Sequence, residues 1–131
     1  MSVWEDQKVE ATVIDVLEEV PTRHESHHFG RPFITAYQLA IGVQERQPQL
    51  TGALNVSVGG AGTGQQSSLT QYLAREISRR AKADPGYPIE GAFVSNDRVL
   101  GMVFNGPGGV EVRSSAQEGG WDLSLFRLRN T

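Results

Sequence analysis

The chain has 131 residues, with 12 lysines and arginines against 15 aspartates and glutamates, and it contains no cysteine. Hydrophobic residues make up 38% and charged residues 21%, which excludes a disordered chain, and no apolar run reaches the roughly 18 residues of a membrane-spanning helix. The lack of cysteine excludes disulfides, thiol catalysis and thiolate metal ligands. Because no basic stretch followed by an apolar one is visible at the start, we expect no signal peptide and a cytoplasmic protein.

Two helices are predicted in the first third of the chain. Thr35 and Gln38 have the spacing of a capping box, in which two side chains bond the free N–H groups at a helix start, and Pro48 bounds the helix that follows. An earlier apolar stripe at helical spacing predicts a first helix that Pro21 ends. That stripe consists of Val9, Val13, Val16, Leu17 and Val20.

The third predicted helix has the strongest pattern. Ser68 and Gln71 form a second capping-box pair, and the helix is expected to reach about Ala83. Its apolar stripe consists of Leu69, Leu73, Ile77 and Ala81. The opposite side carries Ser68, Gln71, Arg75, Arg79 and Lys82. This segment is therefore basic, although the whole chain has a net charge of −3.

Beyond Pro88 the sequence predicts strands. The runs 89–94 and 99–104 are apolar and β-branched, and residues 95–98 between them are typical of a hairpin turn. A short strand is predicted around 110–113, and residues 121–128 predict a strand buried on both faces. The expected fold is a single α+β domain over residues 1–131, with three helices followed by a three- to four-stranded antiparallel sheet. The predicted core consists of Val13, Leu17, Tyr37, Ile41, Leu73, Ile77, Phe93, Val103, Leu123 and Leu125.

The motif His24-Glu25-Ser26-His27-His28 has the H-E-x-x-H spacing. On a helix, His24 and His28 would share one side and bind zinc, with Glu25 as general base for a bound water. Nearby prolines leave room for two helical turns at most, the neighbouring residues are polar, and a third ligand would have to be a carboxylate such as Glu45. An exposed polar loop is the favoured interpretation, and a small zinc hydrolase is an alternative.

A glycine-rich segment, residues 59–64, precedes the third helix. Such a loop can present N–H groups and the positive end of the helix dipole to a phosphate. The candidate phosphate-binding residues are Gly60, Gly62, Gly64 and Ser67. Gln65 stands where the P-loop motif requires lysine, so a surface loop is the favoured interpretation and anion binding the alternative.

The segment Thr35-Ala-Tyr-Gln-Leu-Ala40 resembles the start of a helix-turn-helix unit, and three helices followed by a hairpin resemble a winged-helix domain over residues 35–104. The resemblance implies that the third helix enters the DNA major groove, where its exposed side chains contact bases or phosphates, and that Arg98 lies in the wing. The candidate nucleic-acid-binding residues are Gln71, Arg75, Arg79, Lys82 and Arg98.

From these patterns we expect a non-enzymatic binding or regulatory module, with double-stranded DNA as its ligand class and no cofactor. The first alternative is an accessory protein that acts through contacts with a protein partner or a second copy of itself. The second alternative is the zinc hydrolase that uses His24 and His28. No membrane association is expected.

Overall fold

The N-terminal half of the chain is mostly helical. The computed structural model describes residues 2–22, 28–59, 68–114 and 123–129. The elements of the first half are, in chain order, α1 (Val3–Asp6), α2 (Val9–Glu18), β1 (Ile34–Thr35), α3 (Ala36–Arg46) and α4 (Gln49–Leu54). The later elements are α5 (Leu69–Ala83), β2 (Ile89–Val94), β3 (Val103–Asn105), a 3-10 turn (Pro107–Gly109), β4 (Glu111–Arg113) and β5 (Leu123–Leu128). No helix within the ranges described is long and apolar enough to cross a membrane.

The three predicted helices are confirmed as α2, α3 and α5. Thr35 caps α3 with both bonds of the capping box: the Gln38 N–H donates to Thr35 Oγ1 at 3.1 Å, and the Thr35 N–H donates to Gln38 Oε1 at 2.7 Å. The short helices α1 and α4 are not among the predicted elements. With four and six residues, neither is long enough to show a periodic apolar pattern.

The strands form two separate antiparallel sheets. The larger sheet has the order β1-β5-β2, and the smaller one pairs β3 with β4. The central strand β5 places Phe126 opposite Ile34 of β1 and opposite Gly91 of β2. Because β1 lies between α2 and α3, the strands do not all follow the helices. The α+β class is nevertheless confirmed.

The predicted hairpin between β2 and the run 99–104 is wrong. Val94, at the end of β2, pairs with Leu123 of β5, and Val103 pairs with Arg113 of β4. Every residue of β5 is buried or half-buried, as expected of the central strand of a sheet. The run 99–104 lacks such burial: Leu100 is 87% exposed, and strand structure begins only at Val103.

The core consists of two clusters. The larger one joins α2, α3 and α5 to the helix-facing side of β2 and β5, and the smaller one joins α3 to the second sheet, where the Tyr37 ring stacks on Phe104 with 5.6 Å between centroids. Seven of the ten predicted core residues are buried, namely Val13, Leu17, Tyr37, Ile41, Leu73, Ile77 and Leu123. Leu125 is half-buried.

Two predicted core residues are exposed, Phe93 at 73% and Val103 at 53%. Phe93 lies near the end of β2, which is an edge strand among the strands that the structure describes. It lines a groove between β2 and the α5 side chains of Ala74, Ser78 and Ala81, which are too small to cover its ring. Both residues fail as core predictions because an apolar strand pattern does not indicate whether a helix lies over each position.

Candidate nucleic-acid interface

The start of α5 is fixed by hydrogen bonds to the segment before the glycine-rich loop. Ser68 is buried, and its Oγ accepts from the Gln71 N–H at 3.1 Å, which is one of the two bonds of the predicted capping box. The Leu69 N–H donates to the Ser57 carbonyl at 2.7 Å. The N–H and the hydroxyl of Thr70 both donate to the carbonyl of Val58, at 3.0 and 2.8 Å. The orientation of α5 is therefore set by backbone contacts as well as by its apolar stripe.

These hydrogen bonds limit which N–H groups could bind an anion at the predicted phosphate site. Gly60, Gly62, Gly64 and Ser67 lie outside the described residues, so their role stays a prediction. The N–H groups of the first turn, from Leu69 to Tyr72, all donate to protein oxygens. An anion at this loop would therefore have to bind the loop's own N–H groups, because those of the helix are already used.

The exposed face of α5 carries the predicted cations. Leu73 and Ile77 are buried on the opposite face, while Arg75, Arg79 and Lys82 are exposed. Over Leu69–Ala83 there are four basic side chains and one acidic side chain, a net charge of +3. Arg75 and Lys82 form no ion pair within the part of the chain that the structure describes. These two cations are available to an anionic partner.

Glu76, the one acidic residue of α5, was not singled out by the sequence analysis. Its Oε1 lies 2.7 Å from Arg79 Nη2 and 2.9 Å from Arg80 Nη1. Arg80 also lies over the Trp4 ring, 4.3 Å from its centroid, and its side chain is only 23% exposed. Arg80 is thus a structural cation that holds α1 against α5. The i,i+3 and i,i+4 spacing from Glu76 is the sequence signal for these pairs.

Tyr72, on the same helix, is affected by this charge cluster. Burial is the main cause that raises the pKa of its hydroxyl, and the carboxylate of Glu76 raises it further. The cations Arg80, Arg75 and Arg79 act in the opposite direction. Tyr72 therefore stays a neutral phenol beside the basic face.

The other two predicted DNA contacts lie in different settings. Gln71 is half-buried in the first turn of α5. Arg98 has a 92% exposed side chain, a left-handed backbone with φ of 66°, and Asp97 at 4.0 Å. Because β2 pairs with β5 and not with β3, Arg98 lies near the start of the long connection 95–122 and not at the tip of a two-strand hairpin.

The zinc motif falls largely outside the described residues. His24 and Glu25 are not described, and His28 is exposed next to Phe29. Glu45, the carboxylate proposed as third ligand, is exposed on α3. Among the residues that the structure does describe, no three histidine, aspartate or glutamate side chains come together as a metal site would require.

A second charged cluster, on the larger sheet, was missed by the sequence analysis. Arg127 Nε donates to Glu90 Oε1, and Arg127 Nη1 donates to the carbonyls of Phe29 and Arg31 at 2.6 and 2.8 Å. The guanidinium also lies over the Phe33 ring, 4.2 Å from its centroid. All of its directed bonds go to protein oxygens, which makes Arg127 a structural residue. Its partners are distant in sequence, so no local pattern could indicate them.

Comparison with known proteins identifies no relative: the chain matches no protein-family model, and no curated protein or solved structure is significantly similar to it.

Proposed function

We propose that this protein is a non-enzymatic, cytoplasmic regulatory module that binds double-stranded DNA through the exposed face of α5. One observation carries the proposal: α5 buries its apolar face and presents Arg75, Arg79 and Lys82 to solvent, with the first and last of these free of carboxylate partners among the described residues. A helix with this distribution of charge is suited to the phosphates that border a DNA groove.

The spacing of the three cations fits a nucleic-acid backbone. Positions 75, 79 and 82 lie at i, i+4 and i+7, so they span about 10 Å along one side of the helix. Phosphates of one strand recur every ~3.4 Å along the duplex axis, so this ridge can reach more than one phosphate. The net charge of +3 on α5 contrasts with −3 for the whole chain, which restricts attraction for DNA to this region.

The arrangement around α5 supports the winged-helix interpretation in part. The antiparallel pair β2 and β5 follows α5, and in this proposal the long connection between them, which also contains β3 and β4, takes the place of the wing, with Arg98 near its start. The helix α4 lies between α3 and α5, where a helix-turn-helix unit has a short turn. In this proposal Arg98 adds a phosphate contact beside those of α5.

The experiment that tests this function compares two triple variants with equal loss of charge. The first, Arg75→Ala with Arg79→Ala and Lys82→Ala, removes the exposed cations of α5. The second, Lys8→Ala with Arg46→Ala and Arg113→Ala, removes three cations elsewhere on the surface, of which Arg46 and Arg113 are ion-paired with Glu19 and Glu111. We expect fluorescence anisotropy of a labelled duplex at low salt to show binding by the native protein and the control, and strong loss in the α5 variant. Equal loss in both variants, or no binding by the native protein, contradicts the proposal.

A further inference from the structure

Among the residues that the structure describes, no strand pairs with the outer edge of β2 in the larger sheet. In an antiparallel pair, alternate residues direct N–H and C=O toward the neighbouring strand. The Arg129 N–H donates to the Pro88 carbonyl at 2.9 Å, so position 88 and every second residue after it face β5. The backbone groups of Ile89, Gly91 and Phe93 therefore point away from β5, toward the open edge of β2.

This edge lacks the features by which proteins block strand pairing. Natural sheets protect their edges with lysine, proline, bulges or very short strands. The strand β2 has six residues, Ile89 to Val94, without lysine or proline and with an unbroken register to β5. Its one charged residue, Glu90, is bound by Arg127 and Arg129, so like charges do not repel a second strand of the same sequence.

The edge strand β2 also carries an exposed phenyl ring at Phe93 and a groove at Gly91, two residues away. Phe93 is 73% exposed on the helix-facing side of β2. On the same side, Gly91 has no side chain and lines a groove of about 570 Å³ between β2 and α5, next to the Phe126 ring. The α5 residues Ala74, Ile77 and Ala81 give this groove an apolar wall. Because one strand carries both the exposed phenyl ring and the groove, two copies of β2 can each insert a ring into the groove of the other.

We propose that two copies of this chain associate by antiparallel pairing of their β2 strands, centred on Ala92. This register places Gly91 opposite the partner's Phe93, and the same contact recurs at the other end because the interface has two-fold symmetry. Each such pair exchanges two backbone hydrogen bonds, since the outward-facing groups of Gly91 and Phe93 meet. Each phenyl ring enters the other copy's groove, and an aromatic ring over an edge glycine is a known stabilising arrangement. The two sheets become one sheet of six strands.

The expected dimer is concentration-dependent. Two buried phenyl rings contribute roughly 150–250 Å² each, and a stable interface buries about 1,200–2,000 Å² in total. A pair of six-residue strands with two rings lies at the low end of that scale. We therefore expect monomer and dimer to coexist at micromolar concentrations. This inference does not depend on DNA binding.

The lack of cysteine in the chain allows a sharp test of the register. The backbone of Ala92 faces β5, so Ala92 and the partner's Ala92 form a non-hydrogen-bonded pair with about 4.5 Å between Cα atoms, which lies within the range of a disulfide. We expect Ala92→Cys to form a covalent dimer under mild oxidation. The control Ala53→Cys, at an exposed alanine of α4, is expected to stay monomeric. Equal cross-linking of both variants, or none of Ala92→Cys, overturns the proposal.

Sedimentation velocity over a concentration series provides the second test. The native protein is expected to show a dimer at high concentration. Phe93→Lys is expected to abolish it, because lysine removes the phenyl ring and would place its ammonium in a groove that already contains Lys82 and Arg129. Phe29→Lys is the matched control, since Phe29 is 71% exposed and lies outside β2. This control is expected to dimerise as the native protein does. A native protein that stays monomeric, or a dimer that persists in Phe93→Lys, overturns the proposal.

Discussion

The Tyr87 hydroxyl donates a hydrogen bond of 2.6 Å to the Glu10 carboxylate, across 77 residues of sequence. This bond ties α2 to the segment that leads into β2, and Tyr87 is buried at 6% exposure. Removal of the hydroxyl in Tyr87→Phe leaves the carboxylate without this donor and should cost about 1–3 kcal/mol of unfolding free energy. Urea unfolding measures the loss. The control Tyr72→Phe should change stability little, and an equal loss in both would contradict the role of the bond.

The same bond predicts a pH dependence. Burial is the main cause that raises the pKa of Tyr87 above its ordinary value near 10, and the bond and charge of Glu10 raise it further. The unfolded chain therefore loses its proton at a lower pH than the folded chain. Stability should be full below about pH 10 and should fall as the pH rises above it. Melting temperatures across this range should fall less steeply in Tyr87→Phe, and identical curves would contradict the prediction.

Ser68 is predicted to stabilise the start of α5. Its Oγ accepts from the Gln71 N–H, so Ser68→Ala should cost on the order of 1 kcal/mol. Ser68→Asp, which keeps an acceptor at this position, should retain most of the stability in the same thermal unfolding measurement. A neutral effect of Ser68→Ala would mean that the backbone bonds to Ser57 and Val58 fix the helix start without the cap.

Gly59 is required by both its backbone conformation and its neighbour. Its φ is +129°, and a Cβ at this position would lie 2.6 Å from Thr70 Oγ1. Gly59→Ala should therefore destabilise the protein by about 1–3 kcal/mol. Gly52→Ala is the control, because a Cβ there meets nothing within 4 Å and the residue lies in α4, so a small gain is expected. Chemical unfolding measures the free energy of unfolding of both variants. An equal change in Gly59→Ala and Gly52→Ala would contradict the steric argument.

We expect that the guanidinium group of Arg127 is required for the full stability of the fold. The planar group donates to Glu90 and to two carbonyls of the segment 28–33, and a lysine ammonium cannot match that geometry. Arg127→Lys should lower the unfolding free energy by about 1–3 kcal/mol. The exposed Arg113, which forms a surface ion pair with Glu111, gives a control in which Arg113→Lys changes little. Comparable losses in the two variants would mean that the carbonyl contacts contribute nothing specific.

The parts of the fold that follow from neighbouring residues could be predicted. The capping pairs Thr35–Gln38 and Ser68–Gln71 lie three residues apart, and both helix starts are where the sequence places them. The cationic face of α5 follows in the same way from the helical period. These features need no knowledge of the rest of the chain.

Features that depend on distant partners could not be predicted. The pairing of Val94 with Leu123 spans the connection 95–122, and the closer run 99–104 gave an equally apolar candidate strand. Phe93 is exposed beside a groove whose α5 side includes the small residues Ala74, Ser78 and Ala81, which no strand pattern reveals. The carbonyl partners of Arg127 lie 96 and 98 residues away.

The salt dependence of duplex affinity tests the central claim most directly. Each phosphate that a cation neutralises releases condensed counterions, so the logarithm of the binding constant falls linearly with the logarithm of salt concentration. We predict that Arg75→Ala reduces this slope by about 0.9 relative to the native protein, while folding stability stays the same. The exposed control Arg113→Ala should leave the slope unchanged. A native protein that does not bind duplex DNA at low salt, or a slope that Arg75→Ala leaves intact, would contradict a role for α5 in DNA binding.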